Sequence, residues 1–122
     1  YEKGYFFLPT VLCRADHKMK VMREETFGPV APVMKFKSLE EAISLANDSP
    51  YGLAAYIFTS DLKTALLAAE GLEAGGIGVN VNNVVDLQAP FGGWKESGIG
   101  RELGRWGLEA YMETKHIRLG MG

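Results

Sequence analysis

Apolar and polar residues follow two different periods along the chain from Val30 onward. The stretch "VAPVMKFK" is typical of a strand, with its apolar centre at residues 33–36. The next stretch, "SLEEAISLAND", predicts a helix with Ser38 as N-cap and Glu41 in the capping-box position, ended by residues 47–50. The apolar face predicted for this helix comprises Leu39, Ala42, Ile43 and Ala46.

The same strand and helix pattern then repeats. "LAAYIFT" predicts a strand over Leu53 to Thr59, and a second helix begins at Ser60 or Asp61 and ends before Gly75 and Gly76. "IGVNV" predicts a third, short strand. Alternation of this kind indicates the α/β class, with a parallel or mixed sheet covered by helices. The core stripe predicted for the second helix comprises Leu62, Ala65, Leu66, Ala69 and Leu72.

The last third of the chain has a looser pattern. Residues 82–100 form a predicted loop that is long for a compact domain, and loops of this length are usually functional or flexible. A helix is predicted over Arg101 to Met112, and "KHIRLGM" is a possible final strand.

Composition limits the classes of protein that remain. The 122 residues, 47% of them hydrophobic, suffice for one domain or part of one. The formal charge of -2 gives no basic surface for nucleic acid, and no apolar run is long enough to cross a membrane. A single cysteine, Cys13, excludes an internal disulfide and points to a reducing, cytoplasmic setting. His17 and His116 lack metal-ligand spacing, so no metal is expected.

The segment "GIGRELG", residues 98–104, resembles a dinucleotide-binding glycine loop by letter alone. That motif needs a buried strand leading into the first glycine, and the preceding "WKES" is polar. We therefore interpret this stretch as a turn-rich loop before a helix, in which Gly92, Gly93, Gly98 and Gly100 allow unusual dihedral angles and close backbone packing.

Two longer stretches carry a family resemblance. "EETFGPVAPVMKF" and "APFGGWKESGIGRELGRWGLEAYMETK" resemble the C-terminal part of NAD(P)-dependent aldehyde dehydrogenases, and the segments around them match in the same order. Within the family, the chain looks most like succinate-semialdehyde and related semialdehyde dehydrogenases. Because the chain has no initiator Met and matches only this part, we expect it to come from a longer polypeptide.

The resemblance implies an enzyme that oxidises an aldehyde to a carboxylic acid with NAD or NADP. It implies a thiol nucleophile after a Gly-Gln pair and a base glutamate in a Leu-Gly-Gly motif, and neither motif occurs in this sequence. We therefore expect residues 1–112 to be the end of the catalytic domain and residues 113–122 an oligomerisation strand in a homodimer or homotetramer. The chain by itself is expected to be inactive, and Cys13 is interpreted as an incidental thiol.

Two cofactor contacts follow from the resemblance. Glu25 would accept hydrogen bonds from the hydroxyls of the nicotinamide ribose, and Phe27 would place the nicotinamide ring. From the residues alone, Glu25 belongs to a solvated turn and Phe27 is a core anchor ahead of Gly28 and Pro29.

The resemblance also implies a substrate entrance lined by Phe91 and by residues 84–89. The alternative for Phe91 is that it fills a gap in the core. Semialdehyde-specific members place a serine near Val85 or Asp86, whereas Asp86 itself would repel an anionic substrate.

A rival hypothesis from another class is a non-enzymatic, self-associating module. The terminal strand would offer an unpaired edge to another copy, because edge strands invite pairing. Size-exclusion chromatography with light scattering separates the two hypotheses, since a strict monomer argues against such a module.

Overall fold

The computed structural model describes residues 3–122, which group into two compact units. The first unit runs to Pro50 and the second covers Tyr51–Gly122. Helices and strands are mixed, as the sequence predicts, but the strands form three separate two-stranded sheets and no larger sheet among the described residues. The boundary predicted after residue 112 concerns subunit association, and it stays a prediction.

The first unit is built on a parallel strand pair, β1 (Thr10–Cys13) and β2 (Val30–Val33). The sequence predicts a strand from Val30 but places its apolar centre at residues 33–36, which is wrong. Beyond Cys13, Arg14 adopts a φ of 60° and β1 ends, so β2 loses its partner after Val33. β1 was not predicted, because its pairing with β2 is not visible in a four-residue stretch.

Two helices complete this unit, α1 (Lys20–Arg23) and α2 (Leu39–Asn47). The predicted N-cap of α2 is confirmed, since Ser38 Oγ accepts from the Glu41 backbone N–H at 3.2 Å. The Glu41 carboxylate accepts from the Lys37 N–H at 2.6 Å, one residue before the position expected in a capping box. On the predicted apolar face, Leu39, Ala42 and Ile43 are half-buried, whereas Ala46 is exposed.

The second unit contains, in chain order, β3 (Tyr51–Gly52), β4 (Ala54–Ile57), α3 (Leu62–Gly71), β5 (Gly76–Val79), β6 (Trp94–Lys95) and α4 (Gly104–Glu109). β4 and β5 pair in parallel, and α3 connects them and contacts both. This arrangement confirms the predicted order of strand, helix and strand.

The helix α3 contacts the strands through small residues. Asp61 is its N-cap and accepts from the Thr64 N–H at 2.7 Å. Ala65 and Ala68 are buried, whereas Leu62 and Leu66, which the sequence placed in the core, are 72% and 56% exposed. The prediction for these leucines is wrong, because the alanines occupy the face of α3 that lies against the strands. Their small side chains let the helix backbone approach the sheet closely.

The predicted loop over residues 82–100 contains a short strand. β6 pairs antiparallel with β3, with Tyr51 opposite Lys95 and Gly52 opposite Trp94. The Gly52 N–H also donates to Ser97 Oγ at 3.0 Å. Because β3 and β6 have two residues each, their pairing leaves no periodic signal in the sequence.

Glycines allow close backbone contact in the second unit. A Cβ on Gly75 would lie 1.7 Å from the Gly92 carbonyl oxygen, and one on Gly92 would lie 2.5 Å from the Gly100 carbonyl oxygen. Gly98 and Gly100 have φ values of +111° and +88°. The residues before Gly98 form a turn instead of a strand that runs into it, which agrees with the interpretation of "GIGRELG" as a turn-rich loop.

Phe91 is fixed by an isolated antiparallel bridge. Its N–H donates to the Glu102 carbonyl at 2.8 Å, and the Glu102 N–H donates to the Phe91 carbonyl at 2.7 Å. Directly after this bridge, Leu103 has a φ of 63° and α4 begins at Gly104. The helix predicted over residues 101–112 is therefore real but shorter at both ends.

Residues 112–122 have no regular secondary structure in this single chain. Ile117 and Leu119, on the predicted terminal strand, are 73% and 85% exposed. A strand needs a partner for its backbone hydrogen bonds, and the described chain provides none for this segment. Its role in subunit contact stays a prediction.

The hydrophobic core of the described residues is small. Its buried apolar residues are Ala15, Ala65 and Ala68, and none of its side chains is fully enclosed. Many large apolar side chains on both units are exposed. Extensive apolar exposure of this kind is typical of surfaces that pack against other protein.

Gly75→Ala should destabilise the protein because the added Cβ would clash with backbone, which cannot move aside. We expect a loss of about 1–3 kcal/mol in the free energy of unfolding, as for overpacked sites. Gly28→Ala is the control, since a Cβ there meets nothing within 4 Å. Denaturant unfolding of both variants checks this, and equal midpoints would contradict the proposed clash.

Glu102→Pro should open the bridge to Phe91, because proline has no N–H to donate to the Phe91 carbonyl. Loss of this bond should destabilise the protein by about 1–3 kcal/mol. Faster hydrogen exchange at the Phe91 amide would report the opening directly. Glu102→Ala keeps the backbone N–H and should leave exchange unchanged; the same rate in both variants would sink the idea.

Candidate functional site

Glu25 and Phe27 lie on the connection between α1 and β2. The chain leaves α1 in an extended conformation at Glu24, and the Gly28 N–H donates to the Thr26 carbonyl at 3.0 Å. This tight turn places Phe27 at its outer side, where the ring is 96% exposed. The interpretation of Phe27 as a core anchor is therefore wrong for this chain.

The Glu25 side chain is exposed and available for a ligand. No residue in the described range 3–122 donates a hydrogen bond to its carboxylate or forms an ion pair with it. Its neighbour Glu24 is different, since its carboxylate lies 3.9 Å from Lys20 Nζ. An ionised carboxylate can accept several hydrogen bonds at once, which suits a pair of vicinal hydroxyls.

Phe91 lies on the wall of a glycine-rich cavity in the second unit. The ring is half-buried, and the cavity of about 350 Å³ is also bounded by Leu53, Ser97, Arg101 and the glycines at 92, 93 and 100. Arg101 Nη1 donates to the carbonyl of Gly93 at 3.0 Å and to that of Gly100 at 2.6 Å. These bonds hold both sides of the glycine-rich turn together beside Phe91.

Val85 and Asp86 lie on a neighbouring loop and do not line this cavity. The Val85 N–H donates to Asn83 Oδ1 at 2.9 Å, and Asp86 Oδ1 accepts from the Gln88 N–H at 2.9 Å. Both are local side-chain turns, and both predicted site residues are exposed. The sequence grouped these two residues with Phe91, whereas the structure places them outside the cavity that Phe91 borders.

Asn80, next to the end of β5, has a structural role. Its amide oxygen accepts from the Thr59 N–H at 2.9 Å, and its amide nitrogen donates to the Thr59 carbonyl at 2.8 Å. The side chain thus continues the ladder between β4 and β5, while the backbone of Asn80 adopts a φ of 55°.

A cluster that the sequence did not reveal joins His17, Arg23 and Asp48 in the first unit. Asp48 Oδ2 lies 2.8 Å from His17 Nε2 and 2.6 Å from Arg23 Nη1. The hydrogen bonds from His17 and then Arg23 lower the pKa of the Asp48 carboxyl below its ordinary value. The sequence showed His17 only as a histidine without metal-ligand spacing, and no periodic pattern links it to Asp48, which lies 31 residues away.

The described residues contain neither a metal-binding cluster nor a membrane-spanning helix. Within residues 3–122, no three His, Cys, Asp or Glu side chains converge in a way that could bind a metal ion. None of the helices in that range has the length and apolar character needed to cross a bilayer.

Comparison with known proteins gives a consistent match. A family model described as "Aldehyde dehydrogenase family" matches residues 1–117. An aldehyde dehydrogenase of Enchytraeus buchholzi is 52% identical over 116 residues, which cover 95% of this chain and 23% of that protein. Human retinaldehyde dehydrogenase 3 is 47% identical over 121 residues, covering 99% of this chain and 24% of that protein.

Solved structures agree with the sequence relatives. Betaine aldehyde dehydrogenase from Staphylococcus aureus, in complex with NAD+, superposes with a TM-score of 0.89 at 49% identity. That match covers 93% of this chain and 23% of the other. The indole-3-acetaldehyde dehydrogenase of P. syringae, in complex with NAD+ and IAA, gives a TM-score of 0.85 at 45% identity, covering 88% and 22%.

The chain thus spans about a quarter of the length of these relatives. None of the four is named a semialdehyde dehydrogenase, so the closer resemblance to that branch is not confirmed. The broader resemblance is confirmed by sequence and by fold, and the chain belongs to the aldehyde dehydrogenase family.

Proposed function

We propose that this chain is part of an enzyme that oxidises an aldehyde to a carboxylic acid with NAD or NADP. The observation that carries the proposal concerns Glu25 and Phe27: the Glu25 carboxylate has no partner among residues 3–122, and Phe27, two positions later, is 96% exposed. A dinucleotide cofactor presents ribose hydroxyls next to a flat nicotinamide ring, so its chemistry fits both side chains. Two structural relatives contain NAD+, which supports the same class of cofactor here.

In this mechanism the nicotinamide cofactor supplies the hydride acceptor when it is bound. Glu25 accepts hydrogen bonds from the ribose hydroxyls, and its charge makes these bonds stronger than those of a neutral acceptor. Phe27 would lie against the nicotinamide ring and limit the rotation of that ring. These contacts orient the acceptor for the reaction and leave the covalent step to residues outside this sequence.

Phe91 is proposed as a wall of the aldehyde pocket. Its backbone is held by the two bridge bonds to Glu102, and its ring borders the cavity of about 350 Å³. An aromatic side chain on a fixed backbone suits a pocket that selects substrates by shape. Val85 and Asp86, on the exposed loop nearby in sequence, are proposed to meet the substrate at the entrance.

We also propose that residues 113–122 contact a second copy in a homodimer or homotetramer. The support is the apolar character of this segment, in which Ile117, Leu119 and Met121 are largely exposed. Its unpaired backbone would gain hydrogen bonds from a strand of the other subunit.

Glu25→Gln in the full-length protein tests the cofactor contact. A charge-assisted hydrogen bond contributes about 1.5–3 kcal/mol, so the KM for the cofactor should rise roughly 10- to 100-fold. Steady-state kinetics with varied cofactor would measure this. Glu24→Gln is the matched control, because Glu24 is the adjacent exposed glutamate; equal effects of both variants would refute a specific role for Glu25.

Asp86→Asn should shift the preference towards aldehydes that carry a carboxylate. Removal of the negative charge removes the repulsion of the substrate carboxylate, so kcat/KM for these aldehydes should rise by roughly a few-fold. The rise should be smaller at high salt, because Asp86 is exposed and salt screens its charge. Asparagine keeps the oxygen that accepts from Gln88. The measurement is the ratio of kcat/KM for succinate semialdehyde to kcat/KM for propanal. Asp16→Asn is the matched control, because the Asp16 carboxylate accepts from the Lys18 N–H in a similar local turn. An unchanged ratio in Asp86→Asn would contradict a place for Asp86 at the entrance.

A further inference from the structure

The cluster of His17, Arg23 and Asp48 connects three elements of the first unit. His17 follows β1, Arg23 is the last residue of α1, and Asp48 is the C-cap of α2. Arg23 Nη1 donates to the Asp48 carboxylate at 2.6 Å and to the Asp48 carbonyl at 3.0 Å. Asp48 thus binds the Arg23 guanidinium through two acceptors, its carboxylate and its backbone carbonyl.

The position of Asp48 makes this partnership necessary. A carboxylate at a helix C-terminus faces the negative end of the helix dipole, which is unfavourable unless a cation lies close by. The guanidinium of Arg23 provides that cation and also satisfies a carbonyl that has no partner within the helix. Both effects fix the end of α1 against the end of α2.

His17 joins the same cluster through a single ring nitrogen. Its Nε2 lies 2.8 Å from Asp48 Oδ2 and 3.0 Å from Arg23 Nη1. In the tautomer with a proton on Nε2, the ring donates to Asp48; in the tautomer with a bare Nε2, the ring accepts from Arg23. His17 therefore adds a contact to the cluster in both tautomers.

Arg23 precedes Glu25 by only two residues. We propose that Asp48 is a positioning residue for the cofactor contact of Glu25, acting through Arg23. The inference rests on the proposed function of Glu25. Asp48 touches no cofactor itself; it fixes the end of α1, from which the turn with Glu25 and Phe27 departs.

The experiment uses the full-length protein and measures the KM of the cofactor, the KM of the aldehyde and kcat. Asp48→Ala should raise the KM of the cofactor about 3- to 10-fold, with kcat and the KM of the aldehyde within about 2-fold of wild type. Asp48→Asn, which keeps the shape, should give the same direction, and Asp48→Glu should restore part of the affinity. In Arg23→Ala, addition of Asp48→Ala should have little further effect, because the two residues act in series.

Asp61→Ala is the matched control for a merely structural role. It removes another helix-capping carboxylate whose pKa is lowered by its hydrogen bond to Thr64, and we expect it to lower stability without a change in the KM of the cofactor. A rise in KM equal to that of Asp48→Ala would overturn the proposal, as would normal cofactor KM values in both Asp48→Ala and Asp48→Asn.

Glu25→Gln is measured in parallel. If it raises the KM of the cofactor while the Asp48 variants do not, the positioning role fails and the cofactor contact stands. If Glu25→Gln itself has no effect, the proposed contact fails and the role of Asp48 falls with it.

Discussion

Backbone contact at Gly75 and Gly92 sets the geometry of the second unit. Gly75 stands directly before β5, its N–H donates to the Gly52 carbonyl at 3.0 Å, and its Cα faces the Gly92 carbonyl so closely that a Cβ cannot fit. The same residue therefore joins the start of the parallel pair to the glycine-rich segment. Since Phe91 precedes Gly92, the position of its ring depends on this contact, and so does the cavity beside it.

The elements that could be predicted from the sequence are those stabilised locally. The caps of α2 and α3 depend on Ser38 and Asp61, each of which accepts from an N–H three residues ahead. Ser38 was predicted as a cap, and Asp61 was one of the two alternatives that the sequence offered. β1, α1, β3 and β6 were not predicted. The three strands among them exist through pairing with residues distant in sequence, which no local period records. The leucines of α3 were misplaced for a related reason, since only the tertiary contact shows that alanines face the strands.

The site divides in the same way. Glu25 and Phe91 were proposed as site residues through family resemblance, because neither has a spacing that indicates a cofactor or a pocket by itself, and their roles stay predictions. The exposure of Phe27 could not have been derived, since an aromatic residue before Gly-Pro is as compatible with a core as with a surface. The cluster around Asp48 unites side chains that are distant in sequence, so only the fold reveals it.

Glu25 differs from the four aspartates of the chain, because no residue in the described range 3–122 engages its carboxylate. Asp16, Asp61 and Asp86 accept hydrogen bonds from backbone N–H groups of their own turns, and Asp48 is engaged by Arg23 and His17. These acids already serve the fold. Glu25 has no such partner among the described residues, and beside it an aromatic ring is almost fully exposed, although exposing an aromatic ring to water is unfavourable. A bound nicotinamide nucleotide would engage both side chains, because its ribose hydroxyls would donate to Glu25 and its nicotinamide ring would cover the apolar surface of Phe27.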